Sequence, residues 1–457
     1  MRPSENAMTE HTPLSLAVVG HTNTGKTSLL RTLLRDSAFG EVANASATTR
    51  HVERAAVADG GDTLLYLYDT PGLEDAGGVL DWLETHTSAR ADGIERLQRF
   101  LASPEAAAEF SQEAKVLRQL LQSDAALYVI DAREPVLGKY KDELTILSWC
   151  AKPVMPVFNF TAERDTAAWN DMLARRNLHV TCGFDTVAFD FEGEMRLWQS
   201  LATMLPGNNI LTRLVQMRRR EWQSLDKQAR EEIAGFLLDA AAYKQETGEH
   251  DDPAPVLHTM QEAVRRLESG FQQRLLHLYR FYHSETESGG WALKAFRQDP
   301  FDSALLKEYG IRTGTGAAAG AAIGLGIDIA TLGGSLGLGT AIGSLLGGVL
   351  PNMNDISDKL SGRQTLHTDP ETLTLLAARA LDLLHALQTR GHAAQTPVSP
   401  KSGKTPWPPR KLPPELQKAR SRPRWSSLNT GAPEASREER SEAAKTLAER
   451  LRHQEAV

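Results

Sequence analysis

The sequence predicts an α/β domain with a doubly wound, mostly parallel sheet, followed by an all-α domain. Two observations lead to this prediction. Apolar strand-like runs alternate with helical stretches over residues 13–205, and apolar residues recur every three or four positions over residues 206–310. Alternation of strands and helices is typical of a parallel sheet covered by helices, whereas the second spacing is typical of amphipathic helices. A chain of 457 residues also exceeds one ordinary core.

Five apolar runs are the predicted strands of the first domain. They cover residues 14–19, 64–68, 125–130, 154–159 and 186–189. A long insertion at about residues 74–123 separates the second run from the third, and its pattern predicts helices over 92–101 and 105–121. Because one helix normally joins two parallel strands, this insertion predicts an added helical lobe.

The composition argues against several classes of protein. The formal net charge of −7 does not indicate a nucleic-acid binder, and no dedicated nucleic-acid domain is recognisable. Cys150 and Cys182 are the only cysteines, too few for a disulfide framework or a zinc site, which suits a reducing cytosol. Residues 1–12 are polar, and we expect a flexible N-terminus without an export signal and a cytoplasmic protein.

The most informative motif follows the first predicted strand. It reads G-H-T-N-T-G-K-T-S and matches the phosphate-binding pattern G-x-x-x-x-G-K-[ST] between a strand and a helix. Backbone N–H groups at such a helix N-terminus wrap a polyphosphate. Lys26 is expected to reach the β- and γ-phosphates, and the Thr27 hydroxyl is expected to bind Mg²⁺. The expected nucleotide-binding residues of this loop are Gly20, His21, Thr22, Asn23, Thr24, Gly25, Lys26, Thr27 and Ser28.

Two further segments complete the pattern expected around a nucleotide. The second predicted strand ends in Asp69-Thr70-Pro71-Gly72, where Asp69 supplies an acid for Mg²⁺ and Gly72 an N–H for a γ-phosphate. Thr48 and Thr49 lie between the phosphate loop and this strand. A threonine there reaches Mg²⁺ only when a γ-phosphate is bound, and this is how such a segment becomes a switch.

The three segments G-H-T-N-T-G-K-T, A-T-T-R-H and D-T-P-G-L resemble the translation-factor-related small GTPases of the TrmE, Era and EngA group. The resemblance covers residues 13–205 and implies a Ras-like P-loop GTPase domain that binds GTP or GDP with Mg²⁺. It implies Thr49 as the switch threonine, with Thr48 as the alternative. The metal residues are then Thr27, Thr49 and Asp69. The catalytic residues are then Lys26, Thr49 and Gly72.

The resemblance also bears on hydrolysis. Asn23 matches an asparagine that, in several members of the group, helps bind a K⁺ ion between the phosphates, where positive charge stabilises the transition state. Leu73 stands where Ras-type enzymes carry a water-orienting glutamine, and a leucine forms no side-chain hydrogen bond. Hydrolysis must therefore use Glu74, Asp75, a partner, or water held by the backbone and ions.

The base-recognition segment departs from the pattern of the group. The expected N-K-x-D motif, whose aspartate accepts hydrogen bonds from guanine, is replaced by Asn159-Phe160-Thr161-Ala162. Asp165 lies three residues too far along the chain, and residues 187–190 replace the usual S-A-K/L segment. Guanine recognition thus rests on the resemblance and on Asn159, and selectivity between guanine and adenine stays open.

Residues 311–391 combine a glycine-rich segment with a closing helix. Residues 313–350 contain twelve glycines and one charge, Asp328, and four-residue glycine spacing lets two helices pack closely. The segment predicts a helical hairpin that either inserts into a membrane surface, peripherally or integrally at the inner membrane, or packs as a soluble hairpin. Pro370 is expected to open the closing helix, and Gly391 to end it.

Residues 392–457 predict a disordered, basic, proline-rich tail. The stretch 396–432 has almost no apolar residue, and 401–424 carries eight Lys or Arg against Glu415. These charges would face lipid headgroups or RNA, or form a solvated tail, and residues 435–453 favour a terminal helix. The order of domains also resembles a group of bacterial GTPase-like proteins with a C-terminal domain of unknown function.

The sequence therefore predicts a GTP-binding protein and Mg²⁺-dependent GTPase that acts as a nucleotide switch on a helical, membrane-associated domain. The alternatives are a non-hydrolysing, nucleotide-dependent membrane scaffold and a GTPase of ribosome or RNA assembly. The resemblance implies a guanine nucleotide as ligand, and the sequence indicates no particular protein partner.

Replacing Asn23 with Ala is expected to remove stimulation of GTP hydrolysis by K⁺, because the ion loses its side-chain ligand. The loss of one electrostatic contact to the transition state lowers the rate on the order of 100-fold. Hydrolysis rates of both proteins in KCl and in NaCl at equal ionic strength measure the effect. A full K⁺ response in Asn23→Ala would show that this residue does not bind the ion.

Overall fold

The computed structural model describes residues 12–36, 39, 51–161, 165–207, 209–248, 251–281, 296, 298–311, 327–330, 363–392, 404–429 and 435–454. The chain divides into two compact units, which we describe separately. Unit 1 comprises Met1–Trp222, Arg280–His283 and Gln388–Gln395. Unit 2 comprises Gln223–Tyr279, Ser284–Leu387 and Thr396–Val457.

A mostly parallel sheet forms the centre of unit 1. Among the described residues its strands are β1 (Leu14–Val19), β2 (Glu53–Asp59), β3 (Asp62–Asp69), β4 (Ala125–Asp131), β5 (Val154–Asn159) and β6 (Cys182–Gly183). Their order is β2-β3-β1-β4-β5-β6, with β2 antiparallel to β3 and the other pairs parallel. The central strands β4 and β5 are buried along their whole length, because helices cover both faces of the sheet. This architecture confirms the predicted fold class.

Helices on the two faces of the sheet form two separate apolar cores. The described helices of this unit are α1 (Lys26–Leu34), α2 (Ala76–His86), α3 (Gly93–Leu101), α4 (Ser111–Gln122), α5 (Gly138–Ser148), α6 (Ala167–Ala174) and α7 (Phe191–Met204). One core gathers apolar side chains of α2 to α6, and the other gathers those of α1, α7 and the first turns of the next helix. The insertion helices α3 and α4 thus share a core with α5 and α6. Residues Glu105–Ala107 form a short 3₁₀ helix before α4.

Two features of the sheet differ from the sequence prediction. Residues 186–189 form a turn rather than a strand, because the Asp185 carboxylate accepts hydrogen bonds from the N–H groups of Val187 (2.8 Å) and Ala188 (3.1 Å). The sixth strand lies earlier, at Cys182–Gly183, where it pairs with β5. The sequence pattern also misses β2, in which only Val57 is buried.

Unit 2 is mainly helical, as predicted, but it also contains a small sheet. The described helices of this region are α8 (Asn209–Ala242, which begins in unit 1), α9 (Ala254–Leu278), α10 (Ser303–Glu308), α11 (Pro370–Gln388), α12 (Pro414–Arg420) and α13 (Ala435–Gln454). The strands β7 (Lys244–Gly248), β8 (Ile327–Ala330) and β9 (Arg363–Thr368) form an antiparallel sheet in the order β7-β9-β8. The predicted closing helix is α11.

The glycine-rich segment is described only at β8. There the structure shows a strand where a helical hairpin is predicted, in keeping with the period-two sequence I-D-I-A. Residues 313–326 and 331–350 lie outside the described residues. Among the described residues, no helix is both long enough and apolar enough to cross a membrane.

The predicted disordered tail also differs from the structure, which describes residues 404–429 and 435–454 and places in them α12, a short 3₁₀ helix at Pro423–Trp425, and α13. Two large side chains supply the apolar area that the composition lacks, since Trp407 and Trp425 are both buried. The Trp407 indole N–H donates to the Thr374 hydroxyl of α11 (2.9 Å). Leu416 of α12 and Leu447 of α13 are fully buried. A few well-placed apolar residues therefore order a polar stretch.

A buried ion pair joins α11 to α9 inside unit 2. The Arg379 guanidinium donates to Glu268 Oε1 (2.7 Å) and to the carbonyl oxygens of Phe296 (2.6 Å) and Gln298 (3.1 Å). Both charged side chains are almost completely buried. Burial raises the pKa of Glu268, although Arg379 opposes the shift. The pair therefore holds a carboxylate that is unstable in this core without its cation.

Replacing Arg379 with Met is expected to lower the stability of unit 2 by about 3–5 kcal/mol, because Glu268 is then left buried without a cation. Native-state hydrogen exchange of α11 amides measures the change. Arg274→Met is the matched control, since Arg274 pairs with Glu232 on the surface (2.9 Å, about half exposed) and should cost about 0–1 kcal/mol. Equal effects of the two substitutions would contradict this account of Arg379.

Candidate functional site

The phosphate-binding motif forms a tight loop between β1 and α1. Its backbone takes positive φ angles at Gly20 (141°), Asn23 (65°) and Gly25 (91°). A Cβ atom at Gly20 would lie 2.6 Å from the carbonyl oxygen of Val129 on β4, and one at Gly25 would overlap the Asn159 amide. Only glycine fits these two positions, and α1 begins directly afterwards at Lys26.

The Lys26 side chain folds back under the loop. Its ammonium group donates to the carbonyl oxygens of Gly20 (3.1 Å) and His21 (2.8 Å), and the side chain is buried. Burial lowers the pKa of Lys26 to about 8, against the opposing effect of Asp69, Glu143 and Glu74. The amine therefore still carries its proton at pH 7, and a partly desolvated cation in this position favours the approach of an anion.

Thr27 and Asp69 meet beside this lysine. The Thr27 hydroxyl donates to Asp69 Oδ2 (2.5 Å), and Asp69 is 1% exposed. Burial raises the pKa of Asp69 to about 6, and Thr27 opposes the shift. Its other oxygen, Oδ1, is buried with no hydrogen-bond partner in the described part of the chain.

These two residues fit a Mg²⁺ ion. Mg²⁺ prefers carboxylate and hydroxyl oxygens and usually binds through few protein groups. The unpartnered Asp69 oxygen beside the Thr27 hydroxyl offers such a donor set. Thr49, the third expected metal residue, lies outside the described residues, as does Thr48.

The segment after β3 closes against the phosphate loop. The Leu73 N–H donates to the Gly20 carbonyl (3.2 Å), and the Thr22 hydroxyl donates to Glu74 Oε1 (2.9 Å). A Cβ atom at Gly72 would lie 2.8 Å from the backbone N and Cα of Thr22. Gly72 therefore allows a contact between the two segments that a larger residue would prevent.

A buried polar network that the sequence does not reveal lies beneath this contact. His21 Nδ1 lies 2.7 Å from Glu143 Oε1 and 2.8 Å from the Leu73 carbonyl oxygen, so it carries a hydrogen toward two acceptors. The Tyr128 hydroxyl donates to Glu143 Oε2 (2.7 Å), and burial and Glu143 raise the pKa of Tyr128. Glu143 itself is fully buried in α5. Glu143 follows Asp142 in a charged part of α5, so the sequence does not distinguish it as the buried acid of this network.

Asn159 ties the loop to the strands around it. Its side-chain Nδ2 donates to the Thr24 carbonyl (3.0 Å), and its Oδ1 accepts from the N–H groups of Phe160 (2.9 Å) and Thr186 (3.1 Å). The side chain is completely buried. Both ends of the amide are therefore engaged within the protein.

The remaining expected residues are placed as follows. Asn23 is exposed at the tip of the loop, Thr24 is buried and donates to the His21 carbonyl (3.0 Å), and the Ser28 carbonyl accepts from Thr32 within α1 (3.0 Å). Asp165 accepts from the Ala167 N–H (2.8 Å) at the start of α6. The structure thus brings the loop, Asp69, Gly72 and Asn159 together.

Comparison with protein families accounts for both parts of the chain. Residues 170–449, more than half of the chain, match the family described as "Domain of unknown function (DUF3482)". The chain belongs to this family. Residues 15–160 match the family described as "50S ribosome-binding GTPase". This region contains the phosphate loop, Asp69, Gly72 and Asn159, and the match agrees with the P-loop GTPase domain that the sequence resemblance implies.

Solved structures of small GTPases are similar to the first part of the chain. One is Era in complex with MgGDPNP and nucleotides 1506–1542 of 16S ribosomal RNA, with 18% identity and a TM-score of 0.28. The match covers 38% of this chain and 52% of the Era chain, so the chain spans about half of the length of that relative. Another is the G domain of the T. maritima FeoB iron transporter, with 18% identity, a TM-score of 0.27, and 43% and 100% of the two chains covered. No curated protein matches the chain.

Replacing Asn159 with Asp is expected to destabilise unit 1 by about 1–3 kcal/mol and to weaken nucleotide binding. The new oxygen faces the Thr24 carbonyl where a donor is required, and the charge is buried. Thermal unfolding and nucleotide titration measure the two effects. Asn170→Asp is the control, because Asn170 is exposed on α6 and its replacement should change stability by less than about 0.5 kcal/mol. An Asn159→Asp protein as stable as the control would contradict the role assigned to this amide.

Proposed function

We propose that the protein is a Mg²⁺-dependent GTPase that works as a nucleotide switch. The observation that carries the proposal is the buried Thr27–Asp69 pair with its unpartnered carboxylate oxygen, next to the desolvated Lys26 ammonium. The GTPase family match of residues 15–160 supports it. A site of this kind binds the β- and γ-phosphates of a nucleotide together with a divalent cation.

Each residue of the site has one task in this proposal. The Lys26 ammonium leaves its two carbonyl partners and neutralises the phosphate oxygens, and the loop N–H groups bind the β-phosphate. Thr27 and Asp69 hold Mg²⁺, with Thr49 as the proposed third residue, and the ion supplies positive charge to the γ-phosphate when bound. The Gly72 N–H binds the γ-phosphate, and Asn23, exposed at the loop tip, is the proposed K⁺ residue.

The rate of hydrolysis in this proposal is low for the protein alone. Leu73 is 1% exposed, and its N–H and C=O bond to Gly20 and His21. Its apolar side chain cannot orient a water molecule as a glutamine does. Efficient hydrolysis therefore requires positive charge from a K⁺ ion or a partner at the γ-phosphate.

Contacts of the segment after β3 support the switch. The N–H groups of Glu74 and Asp75 donate to Glu113 Oε1 (3.1 and 3.0 Å), and Glu113 belongs to the insertion helix α4. The carbonyl oxygen of Leu73 contacts His21, which bonds to Glu143 of α5. A γ-phosphate that draws Gly72 toward itself therefore also displaces the contacts to α4 and α5. The displacement of these two helices is the proposed signal.

Two other functions follow from specific observations. The twelve glycines of residues 313–350 favour a nucleotide-controlled membrane scaffold, and the family description "50S ribosome-binding GTPase" favours ribosome assembly. Liposome flotation with and without residues 313–350 tests the first. Sedimentation with ribosomal particles in GTP and in GDP tests the second. Liposome binding that is unchanged by the deletion contradicts the membrane scaffold. Sedimentation with ribosomal particles that is the same in GTP and in GDP contradicts the ribosome function.

Replacing Lys26 with Ala is expected to abolish binding of GTP and GDP, because the phosphates lose their only buried cation among the described loop residues. Calorimetry with GTP, GDP and ATP in Mg²⁺ measures binding. Lys141→Ala, an exposed lysine of α5, is the control and should bind as the parent does. If Lys26→Ala binds GTP with the affinity of the parent, the nucleotide does not occupy this loop.

A further inference from the structure

The residue after Asn159 indicates how the site holds a base. Phe160 occupies the position of the lysine in the N-K-x-D pattern, and it adopts a left-handed backbone conformation (φ 56°) that residues other than glycine seldom take. A Cβ atom at Gly25 would lie 3.5 Å from Cζ of the Phe160 ring, so the ring extends over the phosphate loop. The Asn159 bonds to Thr24 and Thr186 fix the position from which the ring extends.

A cation lies against this ring. The Arg133 guanidinium carbon is 3.9 Å from the ring centre, and Arg133 is half exposed. Asp131, the last residue of β4, accepts from Arg133 Nε (2.9 Å) and Nη2 (2.7 Å) and so fixes the guanidinium plane. Arg133 and Phe160 thus follow the carboxyl ends of two adjacent parallel strands, which is where ligands bind in open α/β sheets.

Three described aspartates near this edge accept hydrogen bonds from within the protein. Asp131 bonds to Arg133, Asp165 to the Ala167 N–H, and Asp185 to the turn that replaces the predicted last strand. Asp131 uses both of its carboxylate oxygens on Arg133, and Asp165 and Asp185 each use Oδ1 on backbone N–H groups. The position of the guanine-reading aspartate of N-K-x-D is itself occupied by Ala162. Residues 162–164 lie outside the described residues.

We propose that Phe160, with Arg133 against it, is a stacking platform for the purine base of the nucleotide, and that this platform replaces hydrogen-bonded guanine recognition. The inference rests on the proposed function and adds how that site holds its base. Stacking on an aromatic ring depends on the flat face that every base has, and a guanidinium adds cation–π attraction. Guanine and adenine nucleotides are therefore bound with similar affinity. The presence of a base increases the affinity more than the exchange of one purine for the other changes it.

The test uses three probes, GTP, ATP and inorganic triphosphate, titrated in Mg²⁺ into the full chain. The parent is expected to bind GTP and ATP within about tenfold of each other, and both at least about tenfold more tightly than triphosphate. Phe160→Leu keeps an apolar side chain but removes the aromatic face. It should weaken GTP and ATP alike by about tenfold, equal to ~1.4 kcal/mol, and leave triphosphate unchanged.

Tyr66→Leu is the matched control, because Tyr66 forms a similar pair with Arg54 (4.7 Å) on strands β3 and β2. It should leave all three affinities unchanged. Arg133→Gln is a second variant at an exposed position. It should weaken GTP and ATP by about threefold, the smaller effect expected of a cation–π contact at an exposed site.

The outcomes separate the platform from the nucleotide site itself. Parental affinity for GTP and ATP in both Phe160→Leu and Arg133→Gln overturns the platform, and so does a preference of the parent for GTP over ATP above about 100-fold. Either result leaves the proposed function intact as long as Lys26→Ala still abolishes binding. If the parent binds none of the three probes, the proposed function fails, and the platform fails with it.

Discussion

The geometry of the nucleotide site depends on one buried amide. Asn159 donates to the phosphate loop and accepts from the segments that follow β5 and β6, so one side chain fixes three loops that lie far apart in the sequence. Its amide group also fills the space that a Cβ atom at Gly25 would need. These contacts lie at Thr24 and Gly25, at or next to two of the positive φ angles of the loop. The backbone of the phosphate loop is therefore held by contacts within the protein.

The parts of the site that the sequence could predict are those built from consecutive residues. The order strand, glycine loop, Lys26, Thr27 and helix is local, and so is the order β3, Asp69, Gly72. The partner of His21 could not be predicted, because Glu143 lies on a distant helix and reaches it only after the sheet has formed. The engagement of both ends of the Asn159 amide escapes a sequence pattern for the same reason.

The errors in the fold prediction have an equally physical origin. The run T-V-A-F at residues 186–189 resembles a short apolar strand, although Asp185 turns the chain there. Composition indicated disorder in the last part of the chain because it averages over many polar residues. Trp407 and Trp425 bury large apolar side chains at two positions, and the average composition of the segment does not show these two positions. The buried partner of Glu268 likewise depends on contacts across helices.

The family match that begins at residue 170 starts inside unit 1, before β6 and α7. Trp198 of α7 is fully buried in the same core as Leu29 and Leu30 of α1. The region shared within this family therefore includes part of the nucleotide-binding fold, and its N-terminal boundary is not a boundary of folding. A recombinant fragment that ends at residue 170 would lack the edge strand β6 and the core helix α7. Neither matched region alone therefore contains all the residues of the two hydrophobic cores of unit 1.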